Sequence, residues 1–340
     1  MTMNQQVLWV GIDVSKLKLD VAAQDARGKV KSRVFRNDAA GLAQLDQWLR
    51  ARALAPDTTR LCMEATGPYS ETVATTLSDR GWTLSVVNPA RVKGYAQGEL
   101  SRNKTDRADA SLLMRFGAAL HPEAWQPAAL EVRQLRAWVD RLQALKDMHQ
   151  QEANRLEACL ASEQEEALRQ SIEEHLQWLS RRMRELERQI DDHLDGHPRL
   201  REDAQLLQSI PGVGRATTAK VLAYLGDVRR FDTAKALSAF IGVSPRLRLS
   251  GSSVKGRSGL CRTGHAFLRQ ALYMPAMVAL KHNPAVQCLG LRLKACGLAP
   301  KAVIGAAMRK LVCLIYGVLR SGKPFDANLA MPRLDVQDGI

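Results

Sequence analysis

The order of strand-like and helix-like segments in the first 125 residues is the feature that most limits the fold of this chain. Strands are predicted over 7–13, 17–24 and 30–36, because apolar residues recur there with a period of two. A helix is predicted from Ala39 to Ala53. The segments after it are predicted as a strand over 60–64, a helix over 69–80, a strand over 83–87 and a helix from Asp106. Three consecutive strands followed by helix–strand alternation are typical of an α/β domain with a mixed sheet.

Two further regions follow this α/β pattern. His121-Pro122 and Gln126-Pro127 predict a boundary near residue 125. Between Leu130 and His193, leucines recur at close to heptad spacing among charged residues, which predicts two long amphipathic helices in a coiled-coil hairpin or dimerisation arm. We therefore predict three parts: an α/β domain at 1–125, a helical arm at 126–200 and a mainly helical, basic domain at 201–330.

The positive charge of the chain lies almost entirely in its last part. From Gln205 to the end there are twenty Lys and Arg against five Asp and Glu, whereas the preceding 204 residues hold 29 basic and 30 acidic residues. A basic segment of this kind indicates a polyanionic partner, most often nucleic acid, although a solubilising surface would have the same composition.

Cysteine usage and hydropathy point to the cytoplasm. The six cysteines form no CxxC pair and there is no zinc-finger spacing, so we expect reduced structural thiols. We expect no signal peptide, because the N-terminus enters a strand almost at once. The apolar run from Ala302 to Leu319 contains Arg309 and Lys310 and predicts a core helix rather than a membrane span.

The C-terminal region contains two candidate nucleic-acid elements. The segment LLQSIPGVGRATTAKVLAYL resembles a helix-hairpin-helix element, in which glycines let backbone N–H groups approach a phosphate. An ordinary helix corner would use the same Pro and Gly residues. Residues 244–264 are rich in Ser, Gly and Arg and are predicted to form a loop, which at this length is usually functional or disordered. The residues expected to contact nucleic acid are Lys104, Arg107, Gly212, Gly214, Arg215, Arg246, Arg248, Lys255, Arg257 and Arg262.

Four acidic residues indicate a metal site. Asp13 and Glu64 each end a predicted strand, and Asp106 and Asp109 share one face of a predicted helix start. Carboxylates that converge repel one another, and a divalent cation is the usual resolution. Two Mg²⁺ or Mn²⁺ ions held by such oxygen ligands suit phosphoryl transfer. Each acid alone is equally typical of a solvated strand end or a helix start, and only their combination favours the metal site.

Ser250 lies among basic residues in the predicted loop. Guanidinium groups nearby would hold a phosphate, but a serine hydroxyl is a weak nucleophile without activation. On residue chemistry alone, Ser250, Ser252 and Ser253 are therefore interpreted as loop residues that contact a nucleic-acid backbone.

The ordered motifs GIDVSK, MEATGPY, KTDRADA, IPGVG and SPRLRLSG, followed by RTGHAFLRQALY, resemble the transposases of the insertion sequence 110 family. The resemblance extends from Val10 to about Tyr316, and its overall pattern is similar to the 1111 subgroup. It implies a ribonuclease-H-like (RuvC-like) N-terminal domain whose metal ligands are Asp13, Glu64, Asp106 and Asp109.

The resemblance also implies partners and a covalent mechanism. Ser250 would become joined to DNA, with Ser252 and Ser253 as neighbouring alternatives. A structured noncoding (bridge) RNA would pair with donor and target DNA. The protein would assemble as a homodimer and tetramer in the bacterial cytoplasm, with no membrane partner, and the metal domain of one subunit would meet the serine domain of another.

Three other functions are weighed against this one. A junction-resolving nuclease would cleave with metal-activated water and use Ser250 only for binding. A noncatalytic nucleic-acid-binding protein would need its acidic residues only for structure. A sugar-kinase-like ATPase also opens on a GID motif, but no glycine-rich phosphate loop follows Glu64.

Overall fold

A five-stranded mixed sheet forms the core of residues 1–127, the first of two units into which the chain divides in a computed structural model. The structure describes residues 7–24, 28–99, 106–162, 165–246, 249–250, 254–255, 259–261 and 263–330. The strands are β1 (Leu8–Val14), β2 (Lys18–Gln24), β3 (Val30–Arg36), β4 (Thr59–Glu64) and β5 (Thr83–Val87). They lie in the order β3-β2-β1-β4-β5. Strand β2 runs antiparallel to both β1 and β3, whereas β1, β4 and β5 run parallel to one another. The predicted mixed sheet is confirmed.

Four helices cover the two faces of this sheet. They are α1 (Ala39–Arg50), α2 (Pro68–Asp79), α3 (Pro89–Gly98) and α4 (Asp106–Leu120). One face carries Ile12 and Met63 and packs with residues of α1 and α2. The opposite face carries Trp9 and Cys62 and packs with α3 and α4.

Two of these helices differ from the sequence prediction. Helix α1 was predicted to reach Ala53 but ends at Arg50, because Ala53 has a left-handed backbone with φ of 56°. Helix α3 was not predicted. Its only fully buried side chain is Val92, so its sequence lacks a clear apolar stripe.

Residues 128–340 form a mainly helical unit. Its first two helices, α5 (Leu130–Ala161) and α6 (Glu166–Gly196), pack side by side as the predicted hairpin. The following helices are α7 (Pro198–Gln208), α8 (Arg215–Leu225), a 3₁₀ turn (Val228–Arg230) and α9 (Ala234–Ile241). The last ones are α10 (Ala266–Ala271), α11 (Tyr273–His282), α12 (Pro284–Ala295), α13 (Pro300–Ser321) and α14 (Ala327–Ala330).

The base of the arm, formed by the start of α5 and the end of α6, packs in the core of this helical unit. Leu135, Val139 and Leu142 of α5, together with Ile190 and Leu194 of α6, are buried in the cluster that also holds α8 and α13. Since the base of the arm shares this core, it is anchored in the C-terminal helices rather than joined to them by a linker. The functional division into three parts stays a prediction.

Helix α13 is long and apolar enough to cross a membrane by length and composition alone, with a mean hydropathy of 1.8. Within the described part of the chain it is the core helix that its sequence predicted. Val303, Ala307, Leu311 and Ile315 are fully buried against the surrounding helices.

Between α9 and α10 the chain forms two short antiparallel ladders, one nested inside the other. The strands are β6 (Pro245–Arg246), β7 (Leu249–Ser250), β8 (Val254–Lys255) and β9 (Gly259–Leu260). Strand β6 pairs with β9, and β7 pairs with β8. The segment predicted as a loop is therefore a paired hairpin in its described residues, because cross-strand backbone hydrogen bonds satisfy a segment too polar to enter a core.

Candidate active site

Asp13 and Glu64 lie next to each other at the ends of parallel strands. In the register of β1 and β4, Ile12 pairs with Met63, so Asp13 and Glu64 are the next positions on each strand. Because side chains alternate between faces, both acids project on the face opposite Ile12 and Met63. That is the face covered by α4, and both acids are half-buried on it.

Two close contacts fix α4 on this face. A Cβ atom on Gly11 would overlap the carbonyl oxygen of Ala110 and lie 2.5 Å from the backbone nitrogen of Met114. A Cβ atom on Gly117 would lie 2.8 Å from Cζ3 of the Trp9 ring. Only glycine at both positions allows this approach.

The direction of α4 follows from the same contacts. Trp9 meets the C-terminal half of the helix at Gly117, whereas Gly11 meets it earlier, at Ala110. Moving along β1 towards Asp13 therefore means moving towards the first turn of α4. Asp109 lies in that turn, directly before Ala110, and is half-buried. The sheet end and the helix start thus bring three of the four predicted acids to one face.

The described side chains do not by themselves form a complete set of metal ligands. Among the residues that the structure describes, no group of three or more His, Cys, Asp or Glu could hold a metal ion. Asp106 begins α4, but its side chain lies outside the described part of the structure. The four-acid site therefore stays a prediction, and the donor set is chemically suited to it, because carboxylate oxygens are the ligands that Mg²⁺ and Mn²⁺ prefer.

Sequence reasoning missed a fifth acid on this face. Asp20 is the register partner of Asp13 on β2, and it is only 6% exposed. Its Oδ2 atom lies 3.1 Å from Nζ of Lys18. The signal was present in the alternation of polar and apolar residues along β2, which assigns Asp20 to the face opposite Leu19 and Val21. Helix α4 covers this face, so Asp20 is buried beneath it.

Cys62 lies on the same face but is not a metal ligand candidate. Its side chain is fully buried. Burial raises the pKa of the Cys62 thiol to about 12, partly opposed by the positive charge of Arg91. The sulfur is therefore a protonated thiol at neutral pH, and a soft sulfur ligand is poorly suited to Mg²⁺ or Mn²⁺, which prefer oxygen.

The predicted helix-hairpin-helix segment is a pair of helices, α7 and α8, joined by the PGVG turn. Gly212 has φ of 102°, and a Cβ atom there would lie 2.9 Å from Cβ of Ala279 on α11. This glycine is thus needed for packing. Helix α8 begins after Gly214 without a side-chain cap, and Arg215 in its first turn forms ion pairs of 3.0 Å with both Asp191 and Asp195. Their contact with phosphate stays a prediction.

The hairpin that carries Ser250 is described only in part. Ser250 pairs with Val254 across the inner ladder. The side chains of Arg107, Arg246, Ser250 and Lys255 lie outside the described structure, as do the whole residues Lys104, Arg248, Ser252, Ser253, Arg257 and Arg262. Their predicted roles are not tested by the fold.

The base of this hairpin is tightly built. A Cβ atom on Gly264 would lie 2.5 Å from the carbonyl oxygen of Phe240, and Gly242 has φ of 83°. The backbone nitrogen of Cys261 donates to the carbonyl of Ser244 at 2.8 Å. Arg269 donates from Nη1 to the carbonyl of Ile241 at 3.3 Å. The two ends of the hairpin are therefore held against each other.

The chain is similar to known proteins over almost its whole length. A family described as "Transposase IS116/IS110/IS902 family" matches residues 204–289, and an IS110-type DEDD family described as "Transposase" matches residues 10–165. The pilin gene-inverting protein of Moraxella bovis is 33% identical over 322 residues, which cover 94% of this chain and 98% of that protein. The protein of the same name from Moraxella lacunata is 32% identical over the same shares. The transposase for insertion sequence element IS1111A of Coxiella burnetii is 38% identical over 92 residues, 27% of this chain and 25% of that protein.

Proposed function

The chain belongs to the IS116/IS110/IS902 family of transposases, and from that premise we propose how its own residues cut and rejoin DNA. The family makes it an enzyme of DNA recombination. The observation that carries the proposal is the shared sheet face of Asp13 and Glu64 beneath the first turn of α4.

The N-terminal unit is proposed to be ribonuclease-H-like, as in RuvC-type nucleases. Supporting this, the strand order is β3-β2-β1-β4-β5, and β2 runs antiparallel to both neighbours. Asp13, Glu64, Asp106 and Asp109 would hold two Mg²⁺ or Mn²⁺ ions. Bound there, the ions would supply Lewis-acid stabilisation of the oxygens exchanged at phosphorus. The protein orients these carboxylates through the contact of Gly11 with α4.

Ser250 is proposed as the nucleophile, with Ser252 and Ser253 as the neighbouring alternatives. Its hydroxyl oxygen would form an ester with the scissile phosphorus while the bond to the leaving sugar oxygen breaks, and the hydroxyl proton would pass to that oxygen. One phosphodiester is exchanged for another, so rejoining needs no nucleotide hydrolysis. The tight base formed by Gly242 and Gly264 supports this role, because a nucleophile must be held in a fixed geometry.

Nucleic-acid partners follow from the charge distribution. The last 136 residues carry the net positive charge of the chain, which suits contact with DNA and RNA backbones. A bridge RNA is proposed to select the DNA sites by base pairing, while the protein binds shape and backbone. Dimers and tetramers are proposed to form through the arm, since Leu160, Leu168 and Trp178 are exposed on it. The enzyme is expected to act in the cytoplasm, where the DNA is.

Site-specific inversion is a second candidate outcome of the same chemistry. Two pilin gene-inverting proteins match this chain over 94% of its length. Insertion and inversion differ in how the recombining sites are arranged and not in the strand-exchange step. A plasmid with two sites in inverted orientation distinguishes inversion from insertion. Inversion gives a circle of unchanged length in which the segment between the two sites is reversed.

The test is a denaturing gel that resolves protein joined to DNA. Purified protein is incubated with Mg²⁺, RNA from the flank of its gene and labelled cognate DNA. Wild-type protein is expected to form an adduct, and Ser250→Ala to form none. Asp13→Asn is expected to abolish both cleavage and adduct.

Other patterns on the same gel identify the alternatives. An adduct that persists in Ser250→Ala moves the nucleophile to Ser252 or Ser253. Cleaved DNA without an adduct in either protein supports a nuclease that uses water. DNA binding without cleavage, unchanged in Asp13→Asn and after metal removal, supports a noncatalytic binding protein.

A further inference from the structure

We propose that Lys18 contacts the scissile phosphate at the carboxylate site, and that Asp20 is a positioning residue that holds the Lys18 ammonium group there. This assignment rests on the proposed function, because it takes Asp13 as part of the site. Neither residue belongs to the predicted set of four acids.

The register places Lys18 and Asp20 on the face of Asp13. Asp13 pairs with Asp20 across the antiparallel strands β1 and β2. Lys18 is two residues from Asp20, so its side chain emerges on the same face, diagonally opposite Asp13. Leu19, between them, is fully buried on the other face.

The burial of Asp20 needs a compensating charge. Its side chain is 9% exposed, and it lies directly across from a second carboxylate, Asp13. A buried charge is costly without a partner, and like charges directly opposite each other destabilise a sheet. The ion pair of 3.1 Å with Lys18 offsets part of this cost. A divalent cation bound near Asp13 would offset more of this cost, because it attracts both carboxylates, while it repels the Lys18 ammonium group.

Lys18 is held but still accessible. Its carbonyl oxygen accepts hydrogen bonds from the backbone nitrogen of Ser15 at 3.0 Å and from Ser15 Oγ at 2.9 Å. Asn37 donates from Nδ2 to the carbonyl of Ser15 at 2.8 Å, which ties the turn to the end of β3. The backbone of Lys18 is therefore fixed relative to Asp13. Its side chain is 44% exposed, so a phosphate oxygen can reach the ammonium group while Asp20 keeps it in place.

A neighbouring ion pair offers a matched control. Arg36 is the register partner of Lys18 on β3, one strand further from Asp13, and it pairs with Asp38 at 2.9 Å. Its side chain is 85% exposed. Removing this cation changes the charge of the sheet edge by the same amount, but at a greater distance from the carboxylates.

The experiment measures two properties of the full-length protein. Binding of MnCl₂ is titrated by calorimetry without nucleic acid, and the rate of adduct formation is measured in a single turnover with RNA and DNA. The variants are Lys18→Met, Lys18→Arg, Asp20→Asn and Arg36→Met.

Electrostatics predicts effects of opposite sign on metal binding. Loss of the carboxylate in Asp20→Asn should weaken Mn²⁺ binding by about tenfold, as expected for a residue that supports metal ligands. Loss of the ammonium group in Lys18→Met should tighten Mn²⁺ binding, by about threefold or more. Adduct formation should nevertheless slow in both, by about 10–100-fold, because the phosphate loses its contact. Lys18→Arg should retain more activity than Lys18→Met, and Arg36→Met should stay within about twofold of wild type on both measures.

Three results would overturn the assignment. Mn²⁺ affinity that falls in both Lys18→Met and Asp20→Asn, together with a lower melting temperature in each, would mean that the pair only stabilises the sheet. Normal adduct formation by Lys18→Met would mean that Lys18 does not contact the phosphate, with the proposed function intact. Wild-type protein that binds no Mn²⁺ and forms no adduct would overturn the proposed function, and the assignment with it.

Discussion

The two units of this chain use glycine for the same purpose at different kinds of site. In the first unit, Gly11 and Gly117 let a helix lie directly on a strand, which brings acids from distant parts of the chain to one face. In the second unit, Gly242 and Gly264 let the two ends of a hairpin touch, which fixes a short segment rather than a face. The first arrangement is suited to holding cations and the second to presenting a side chain from a fixed base.

The two units also differ in the sign and the burial of their charged residues. In the first unit, Asp13 and Glu64 are half-buried and Asp20 is buried on the sheet face that α4 covers, where electrostatic effects are strong. The excess of basic residues belongs to the second unit, largely on exposed surface. The proposed metal ligands therefore lie in the first unit, whereas most of the residues proposed to bind the nucleic-acid backbone lie in the second. Substitutions in the two units are therefore expected to change different measurements.

Loss of a carboxylate in the first unit should have the largest effect. Asp13→Asn is expected to reduce adduct formation by about 10³-fold, because the amide neither carries charge nor binds Mg²⁺ well. DNA binding, measured by fluorescence anisotropy, should be unchanged. Asp79→Asn is the control, since Asp79 is exposed at the end of α2 on the other face of the sheet. Equal activity of the two variants would contradict the assignment of Asp13.

Loss of the helix–strand contact should affect stability and activity together. Gly11→Ala places a methyl group on the carbonyl of Ala110, and overpacking of this kind is expected to lower the free energy of unfolding by about 1–3 kcal/mol. Adduct formation should fall as well, because α4 carries Asp109. Urea denaturation measures the first effect.

The control for that variant is Gly94→Ala. Gly94 lies inside α3 with open space where a Cβ atom would lie, so alanine should raise stability by roughly 0.4–1 kcal/mol. If Gly11→Ala were as stable as wild type, the close approach of α4 to β1 would be wrong.

A substitution at the base of the hairpin is expected to slow adduct formation without changing Mn²⁺ binding. Gly264→Ala forces the base apart at Phe240 and Gly242, and misplacement of a nucleophile by about 1 Å costs on the order of 10²-fold in rate. Mn²⁺ binding should stay normal. Gly259 lies in the same hairpin with open space where a Cβ atom would lie, so Gly259→Ala should change neither the rate of adduct formation nor Mn²⁺ binding. A loss of Mn²⁺ binding in Gly264→Ala would show that the two functions are not separable.

The smallest effect is expected from pH and thiol reagents. The pKa of Cys62 is raised by burial from 9.0 to about 12, so its folded-state contribution to stability is complete below pH 9 and is lost as pH rises towards 12. Iodoacetamide at pH 8 should label the exposed Cys288 and Cys296 but leave Cys62 unmodified, as peptide mass analysis would record. Rapid labelling of Cys62 in folded protein would contradict its burial.

The sequence was most informative where local pattern and tertiary environment agree. Strand β3 and strand β5 have the predicted bounds, since alternation and chain punctuation suffice there. Asp13, Glu64 and Asp109 were predicted as metal ligands because their motifs are ordered along the chain, and that role stays a prediction. The sequence predicted that these acids converge, but it did not predict the crossing of α4 over β1 at Gly11, which brings Asp109 to the face of Asp13 and Glu64.

Other features depend on contacts that no local pattern encodes. Asp20 looks like a solvated strand residue until a helix covers it, and Gly212 looks like a phosphate-loop glycine until α11 packs against it. The segment around Ser250 has the composition of a loop, and its pairing arises from residues on both sides meeting at the base. In each case tertiary context overrides composition.

The docking of α4 on Gly11 also sets the earliest time at which a newly made molecule can complete the proposed metal site. Asp13 leaves the ribosome early, whereas Asp106 and Asp109 follow after roughly 100 further residues, on the order of 5–20 s later at ordinary rates of synthesis. Until α4 has emerged and packed on β1, Asp106 and Asp109 are missing from the proposed four-carboxylate set, and only Asp13 and Glu64 can lie side by side. On the proposed mechanism a growing chain beside its own gene is therefore inactive, and so is any product that ends before α4 begins at Asp106.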